Sequence, residues 1–322
     1  MFLSEKYSLS ISGHRDIEFV DIPLNTDVPL YIDPALLAAG TDVYAKSAWK
    51  SVQSFFYLLF DYCSKENFQG ISDLLPHVGE SNETHLGLSR KYPVGKGASK
   101  KILLPILRDM IEKGLFTKRF IQEPNDLLVF APNFSEDRMS DVIFNIIRDI
   151  ACIFTIEQCV KHGIPLDTEY GYSRYHWRPI SRSWGVNEWP IPLDTRGHPV
   201  VLLPKTIVSK SYLYRASWYL QHFVLSYRQK VHFDAKSHLC HETLDSKGNF
   251  SIKPPYKKEI RQEEVNGRVI KDYISEVTLS HPQLIEDFRK TMDKQRMTTD
   301  QTLSNAELDA IVYKSGDFKI GA

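Results

Sequence analysis

Residues 138–162, RMSDVIFNIIRDIACIFTIEQCVKH, decide the fold class. Ile143, Ile146, Ile147, Ile150, Ala151 and Phe154 recur at three- and four-residue steps, so they share one broad apolar stripe of a long helix. Gly163 and Pro165 follow directly and supply the expected stop. Opposite the stripe, Arg138, Asp141, Asn145 and Arg148 fall in a narrow arc, with Asp137 and Asp149 beside it. A carboxylate between two arginines can hold a metal ion or orient a phosphate. The competing description is the solvated face of an amphipathic helix.

Upstream of this helix, the periodicity predicts helices over 44–65, 71–75 and 101–113, the last stopped by Gly114. Residues 17–22, 28–32 and 127–131 have the short apolar runs of strands. Downstream, 199–203 is a continuous apolar run of strand length, and 212–227 is a helix full of aromatics, fit for a core or a subunit interface. Residues 170–189 are aromatic and basic without a clear period. A charged helical tail covers 270–296, with a short element at 306–313.

Strands and helices mix without regular alternation. That predicts α+β, or an irregular α/β core: a mixed sheet flanked by helices, with a helical C-terminal region. A soft boundary is expected near 165, and a second break at 245–256. The expected regions are 1–165 with the glycine loop and long helix, 166–245 completing the core, and a polar 246–322.

Composition narrows the function classes. The 40 basic and 40 acidic residues cancel, without the strong positive excess usual in a dedicated coat for nucleic acid, which weakens a nucleic-acid reading but leaves room for a local basic groove. The four cysteines, Cys63, Cys152, Cys159 and Cys240, form no CxxC pair, as expected of reduced thiols in the cytoplasm. No apolar leader opens the chain, and no apolar run is long enough to span a bilayer, so no membrane partner is expected.

Four features carry possible chemistry. Asp33 ends the apolar run PLYIDP, where a carboxylate can enter a site; the alternative is a turn-forming Asp before Pro. Residues 87–101 hold Gly87, Gly95 and Gly97, which permit close approach of backbone to phosphate, with Arg90, Lys91, Lys96, Lys100 and Lys101 for charge and Tyr92 for stacking. This is no P-loop, because Lys96 is followed by Gly97 rather than Ser or Thr; it is a candidate clamp for a nucleic-acid backbone, or a charged surface loop. The polar arc of the long helix is the third feature. Lys205, leaving VVLLPK, is the fourth, placed to stabilise charge on a phosphate. Leu203 stands two positions before it, so the acidic partner of a restriction-type nuclease is missing there. His232, His238, Cys240 and His241 lie close in sequence but match no paired zinc spacing, and Zn²⁺ is not expected. No GxSxG, HExxH, GxGxxG or kinase signature occurs.

Four segments together, VPLYIDPALL (28–37), NETHLGLSRKYPVGKG (82–97), SEDRMSDVIFNII (135–147) and VVLLPKTIV (200–208), resemble a family of uncharacterised bacterial proteins associated with mobile and phage-defence loci. The resemblance covers about the first 210 residues. It implies a defence setting and raises the expectation of a nuclease or a nuclease partner. In the leading expectation, Asp33 and Asp141 hold Mg²⁺, with Glu83 or Glu136, while Lys205 or Arg138 stabilises the transition state. Gly95, Gly97, Arg90, Lys91, Lys96 and Lys100, with Asn145 and Arg148, would hold the phosphate backbone. The alternative is a non-catalytic adaptor or sensor that binds nucleic acid or a partner protein from the same locus. A third is an enzyme acting on a phosphorylated small molecule.

Overall fold

The computed structural model describes residues 1–87, 99–244, 250–298 and 302–317. The chain forms two compact units, one of residues 1–109, 135–212 and 299–322, the other of 110–134 and 213–298. In chain order the elements are α1 (Leu3–Lys6), β1 (Tyr31–Ile32), α2 (Pro34–Ala39), α3 (Val43–Ser64), α4 (Phe68–Leu74), α5 (Ser99–Glu112), α6 (Asp126–Phe130) and α7 (Glu136–His162). There follow the hairpin β2 (Asp167–Arg178) and β3 (Ser183–Ile191), then β4 (Val208–Ser209), α8 (Ala216–Tyr219) and α9 (Leu225–Asp234). The rest comprises β5 (His241–Leu244), β6 (Phe250–Lys253), α10 (Lys257–Ile260), α11 (Ile270–Ser280), α12 (Gln283–Thr298) and α13 (Asn305–Asp317).

The class is α+β, with helices around small antiparallel ladders. The sheet expected as one mixed layer takes the form of three two-stranded antiparallel pairs among the described residues: β1–β4, β2–β3 and β5–β6. No described helix is long and apolar enough to cross a membrane.

The long helix α7 organises the first unit. Ser135 caps its start by accepting from the Arg138 amide, and Gly163 ends it at φ 68°, a left-handed geometry that favours glycine. Its apolar stripe lies against α3, where Phe55, Phe56 and Leu59 are buried. The hairpin closes the other side. Trp177 is fully buried, edge-on to Phe55 at 5.1 Å and to its cross-strand partner Trp184 at 5.5 Å. The helix therefore needs elements from both before and after it, which is why no boundary falls at 165. The chain instead leaves this unit at 109, returns at 135, leaves again at 212 and returns at 299.

Several sequence expectations are corrected. Residues 17–22 and 199–203, read as strand-like runs, make only the isolated bridges Phe19–Pro204 and Leu193–Pro199 among the described residues. Residues 127–131 are not a strand: α6 covers Asp126–Phe130, and all five residues are buried. A short helix buried on every side has the same unbroken apolar run as a buried strand. Residues 170–189, without clear period, are most of the β2–β3 hairpin. Period-2 alternation is blurred because both faces are partly covered, Tyr172, His176 and Trp189 on one and Trp177 on the other. The second unit centres on Phe288 of α12, ringed by Tyr214, Trp218, Tyr219 and Phe223 at 5.0–5.8 Å between centroids.

Candidate functional site

A cleft of about 510 Å³ opens on the polar side of α7, lined on that helix by Asn145 and Arg148. The segment after α4 brings His77, Glu80, Asn82 and Glu83 to it, β2 brings Arg174 and Tyr175, and the turn before residue 200 brings His198. Backbone bonds hold these parts in register. The Val201 amide donates to the Glu83 carbonyl at 2.7 Å, and the Gly87 amide donates to the Val28 carbonyl at 2.8 Å. The volume lies within the roughly 300–1,000 Å³ of small-molecule sites.

Arg148 is the anchor. It is 5% exposed, and its guanidinium donates to the Tyr175 carbonyl at 2.8 Å, to Asn145 Oδ1 at 2.7 Å and to Ser81 Oγ at 3.5 Å. Asn145 is itself fixed, donating to the carbonyls of Gly79 and Asp141 at 2.6 and 2.7 Å. β2 is an edge strand, and Arg148 satisfies the carbonyl that edge would otherwise leave open. The buried Arg148 Nε has no hydrogen-bond partner among the described residues. An unmet donor on a buried charge is costly; what makes Arg148 a candidate for ligand contact is its place in the lining of the cleft.

The counter-charge is Glu83. Tyr172 donates its hydroxyl to Glu83 Oε1 at 2.7 Å, Ser81 donates to Oε2, and Arg174 Nε lies 3.7 Å from Oε1. Burial pushes the Glu83 carboxyl up, but the Arg148 guanidinium and these donors outweigh it and hold it below the usual carboxylate range. Burial, followed by the Arg148 charge, lowers the His77 imidazole, which keeps it neutral at pH 7. His77 stacks on Tyr175, with centroids 3.6 Å apart and planes within 13°.

The polar arc of α7 is divided. Asn145 and Arg148 face this cleft with Glu83, whereas Arg138 and Asp141 line a second cleft of about 250 Å³ with Asp137 and Glu80. Burial, reinforced by Asp137, raises Asp141 well above the usual carboxylate range, and burial likewise raises Asp137 against the pull of Arg138. Lys100 sits in the first turn of α5. Arg90, Lys91, Gly95, Lys96 and Gly97 lie outside the described residues.

Asp33 and Lys205 have other work. Asp33 is the N-cap of α2: its Oδ1 accepts from the Ala35 amide at 2.8 Å and its Oδ2 from Ser209 Oγ at 3.0 Å. Lys205 Nζ donates to the carbonyls of His14 and Ile17 at 2.6 and 2.7 Å and to Asn305 Oδ1 at 2.8 Å, which uses all three of its N–H groups. Glu136 Oε1 accepts from the Tyr212 amide at 2.9 Å. Glu136 and Ser140 are one turn apart on the side of α7 that meets β1, where Ser140 Oγ accepts from the Ile32 amide. Asp137 and Asp141 occupy the next stripe round, in the second cleft. The four carboxylates expected to share Mg²⁺ are thus dispersed, and among the described residues no group of three or more His, Cys, Asp or Glu side chains converges as metal ligands. The residues present do not fit the Mg²⁺ centre expected from the sequence.

Burial pushes the Asp33 carboxyl up to about 6, above 3.8. Its ionised form therefore costs stability at neutral pH, a cost that is absent below about 4 and grows as pH rises through 4 to 6. Asn caps helices as well as Asp does. Asp33→Asn is expected to stabilise the protein by about 1–2 kcal/mol at pH 7, with the gain vanishing near pH 4. Urea unfolding at the two pH values checks it, and a net loss at pH 7 would show that the charge itself is needed.

In the second unit, the histidine cluster is held by carboxylates. His232 Nε2 lies 2.7 Å from Glu264 and its Nδ1 2.8 Å from Ser237 Oγ, while His241 Nε2 lies 2.8 Å from Glu259. Cys240 Sγ lies 3.3 Å from the His232 carbonyl.

The sequence pointed to Asn145, Arg148 and Glu83, and the structure brings these three together. It did not point to His77, Arg174, Tyr175 or His198. The one available signal was the density of aromatic and basic residues over 170–189.

No match is found among curated proteins or among solved structures. One family model, for a domain of unknown function (DUF8370), matches residues 9–215, a span that contains every residue of both clefts. The chain belongs to the DUF8370 family.

Proposed function

We propose that this chain is a recognition protein that binds a phosphorylated small molecule in the Arg148 cleft. The observation that carries the proposal is the guanidinium of Arg148, fixed on three acceptors in the wall of an open cleft with Arg174 beside it. A guanidinium already oriented by the protein loses little freedom on meeting a phosphate, and one Nη1 N–H stays uncommitted among the described residues once Tyr175, Asn145 and Ser81 are served. Arg174, half exposed, supplies a second cation nearby. The dispersal of Asp33, Asp141, Glu83 and Glu136 favours binding over metal-dependent cleavage of nucleic acid. A bacterial defence setting, implied by the resemblance of four segments, would suit such a protein as a sensor.

Calorimetric titration with sugar phosphates, nucleotides and inorganic pyrophosphate tests the proposal. At least one class is expected to bind, with affinity falling as salt rises. Arg174→Met, at a half-exposed position, should weaken binding at least tenfold without loss of fold, and Arg148→Met should abolish it. Absence of binding by any phosphorylated compound to folded protein, or binding unchanged by Arg174→Met, overturns it.

A further inference from the structure

The Arg148 cleft is more than an anion hole. Beside its two guanidiniums it holds an exposed carboxylate, Glu80, and an aromatic platform. A bare phosphate or pyrophosphate would meet Glu80 with repulsion and leave the platform unused. The ligand must therefore combine a negative group with hydrogen-bond donors and a flat ring.

The platform has a definite construction. His77 covers one face of Tyr175 at 3.6 Å and is itself met edge-on by Trp184 at 5.4 Å, so the stack is backed by the hairpin core. Trp184 donates its indole N–H to the Leu74 carbonyl at 2.9 Å, tying the hairpin to the segment that carries His77. Tyr175 nevertheless stays 43% exposed and lines the cleft. The backbone carbonyl of this same residue accepts from Arg148, so the ring and the guanidinium are set at a fixed spacing by one residue. Arg174, the preceding residue, sits over the Tyr172 ring at 4.9 Å, with Glu83 beside its Nε.

Resting on the proposed phosphate recognition, we infer that the ligand is a nucleotide, with its base stacked on Tyr175, its phosphate on Arg148 and Arg174, and its ribose hydroxyls donating to Glu80. Each class of group in the cleft then has a counterpart. Stacking on an aromatic face tolerates any base, and the neutral His77 behind Tyr175 adds no charge to disturb it.

The test uses full-length protein and four probes: AMP, UMP, ribose 5-phosphate and pyrophosphate. The nucleotides are expected to bind at least tenfold more tightly than ribose 5-phosphate. Tyr175→Leu, at a partly exposed position, should remove that preference while leaving the ribose 5-phosphate affinity within about twofold. Glu80→Gln should weaken AMP more than its 2′,3′-dideoxy analogue. Equal affinity for ribose 5-phosphate and the nucleotides overturns the inference and leaves phosphate recognition standing. Equal loss of all probes in Tyr175→Leu overturns it as well. Failure of every probe to bind folded wild-type protein overturns both.

Discussion

Arg148→Met is expected to destabilise the first unit by about 3–5 kcal/mol, the cost of losing three hydrogen bonds from a buried charged donor and of removing a cation whose field reaches Glu83. Three bonds disappear at once: to the Tyr175 carbonyl, to Asn145 and to Ser81. The larger loss is indirect. Glu83, largely covered, then keeps Arg174, half exposed and 3.7 Å away, as its ion-pair neighbour among the described residues. Adding Glu83→Gln should recover a substantial part of the loss, because removing both charges is far less costly than stranding one. The acid limb gives an independent check of sign. In the wild type the Glu83 carboxyl lies below its ordinary value, so its contribution is present above about pH 4.5 and is lost as pH falls through the folded value. Without Arg148, burial dominates and the folded value moves above 4.5. Its contribution then becomes a cost at neutral pH that is relieved on acidification. Urea unfolding of the two single variants, the double variant and the wild type between pH 3 and 7 measures all of this. Additive losses in the double variant would show that Arg148 and Glu83 act separately.

The long helix was legible because an amphipathic stripe with a glycine stop is a local property. Ile143, Ile146, Ile147 and Phe154 are buried as their spacing requires. The polar arc was legible too, but not its division: a 3.6-residue repeat shows which side chains share a face, not which neighbours meet that face. Segment 75–83 and β2 meet it at Asn145 and Arg148, and α5 meets it at Asp141. Tyr175 and His77 could not be foreseen as a stacked pair, since they stand 98 positions apart in the chain and are made adjacent only by the hairpin. Asp33 and Lys205 resembled catalytic groups because a strand end is where catalytic groups often stand. Capping a helix and tying down free carbonyls place the same residue types at the same points, and only the partners tell the roles apart. The apolar run at 127–131 failed for a related reason: full burial erases the period that separates helix from strand.

In the second unit the largest single-residue effect is expected at Glu264. Arg228 donates to it from Nε at 2.8 Å and from Nη2 at 2.5 Å, His232 Nε2 lies 2.7 Å away, and the Tyr273 hydroxyl donates to its other oxygen. Burial pushes this carboxyl up, but the donors, led by Arg228, pull it down to about 2. Relative to an ordinary value of 4.5, that contributes at most about 3 kcal/mol at neutral pH, and partial solvent screening leaves about 2 kcal/mol. Glu264→Gln is isosteric but offers one acceptor where two oxygens serve, and it turns an amide donor towards Arg228. The variant is expected to lose about 2 kcal/mol at pH 7. Because the folded value is depressed, the contribution is fully present above 4.5 and lost as pH falls towards 2, so wild type and variant should converge in acid. Arg228→Met should cost a similar amount, and the pair together less than the sum, since both remove the same bidentate contact. A variant as stable as the wild type at pH 7, or a gap that does not narrow below pH 4.5, would show that the four-residue network around Glu264 carries no net stability. Convergence in acid would instead identify the ionised carboxylate as what holds Arg228, His232 and Tyr273 together.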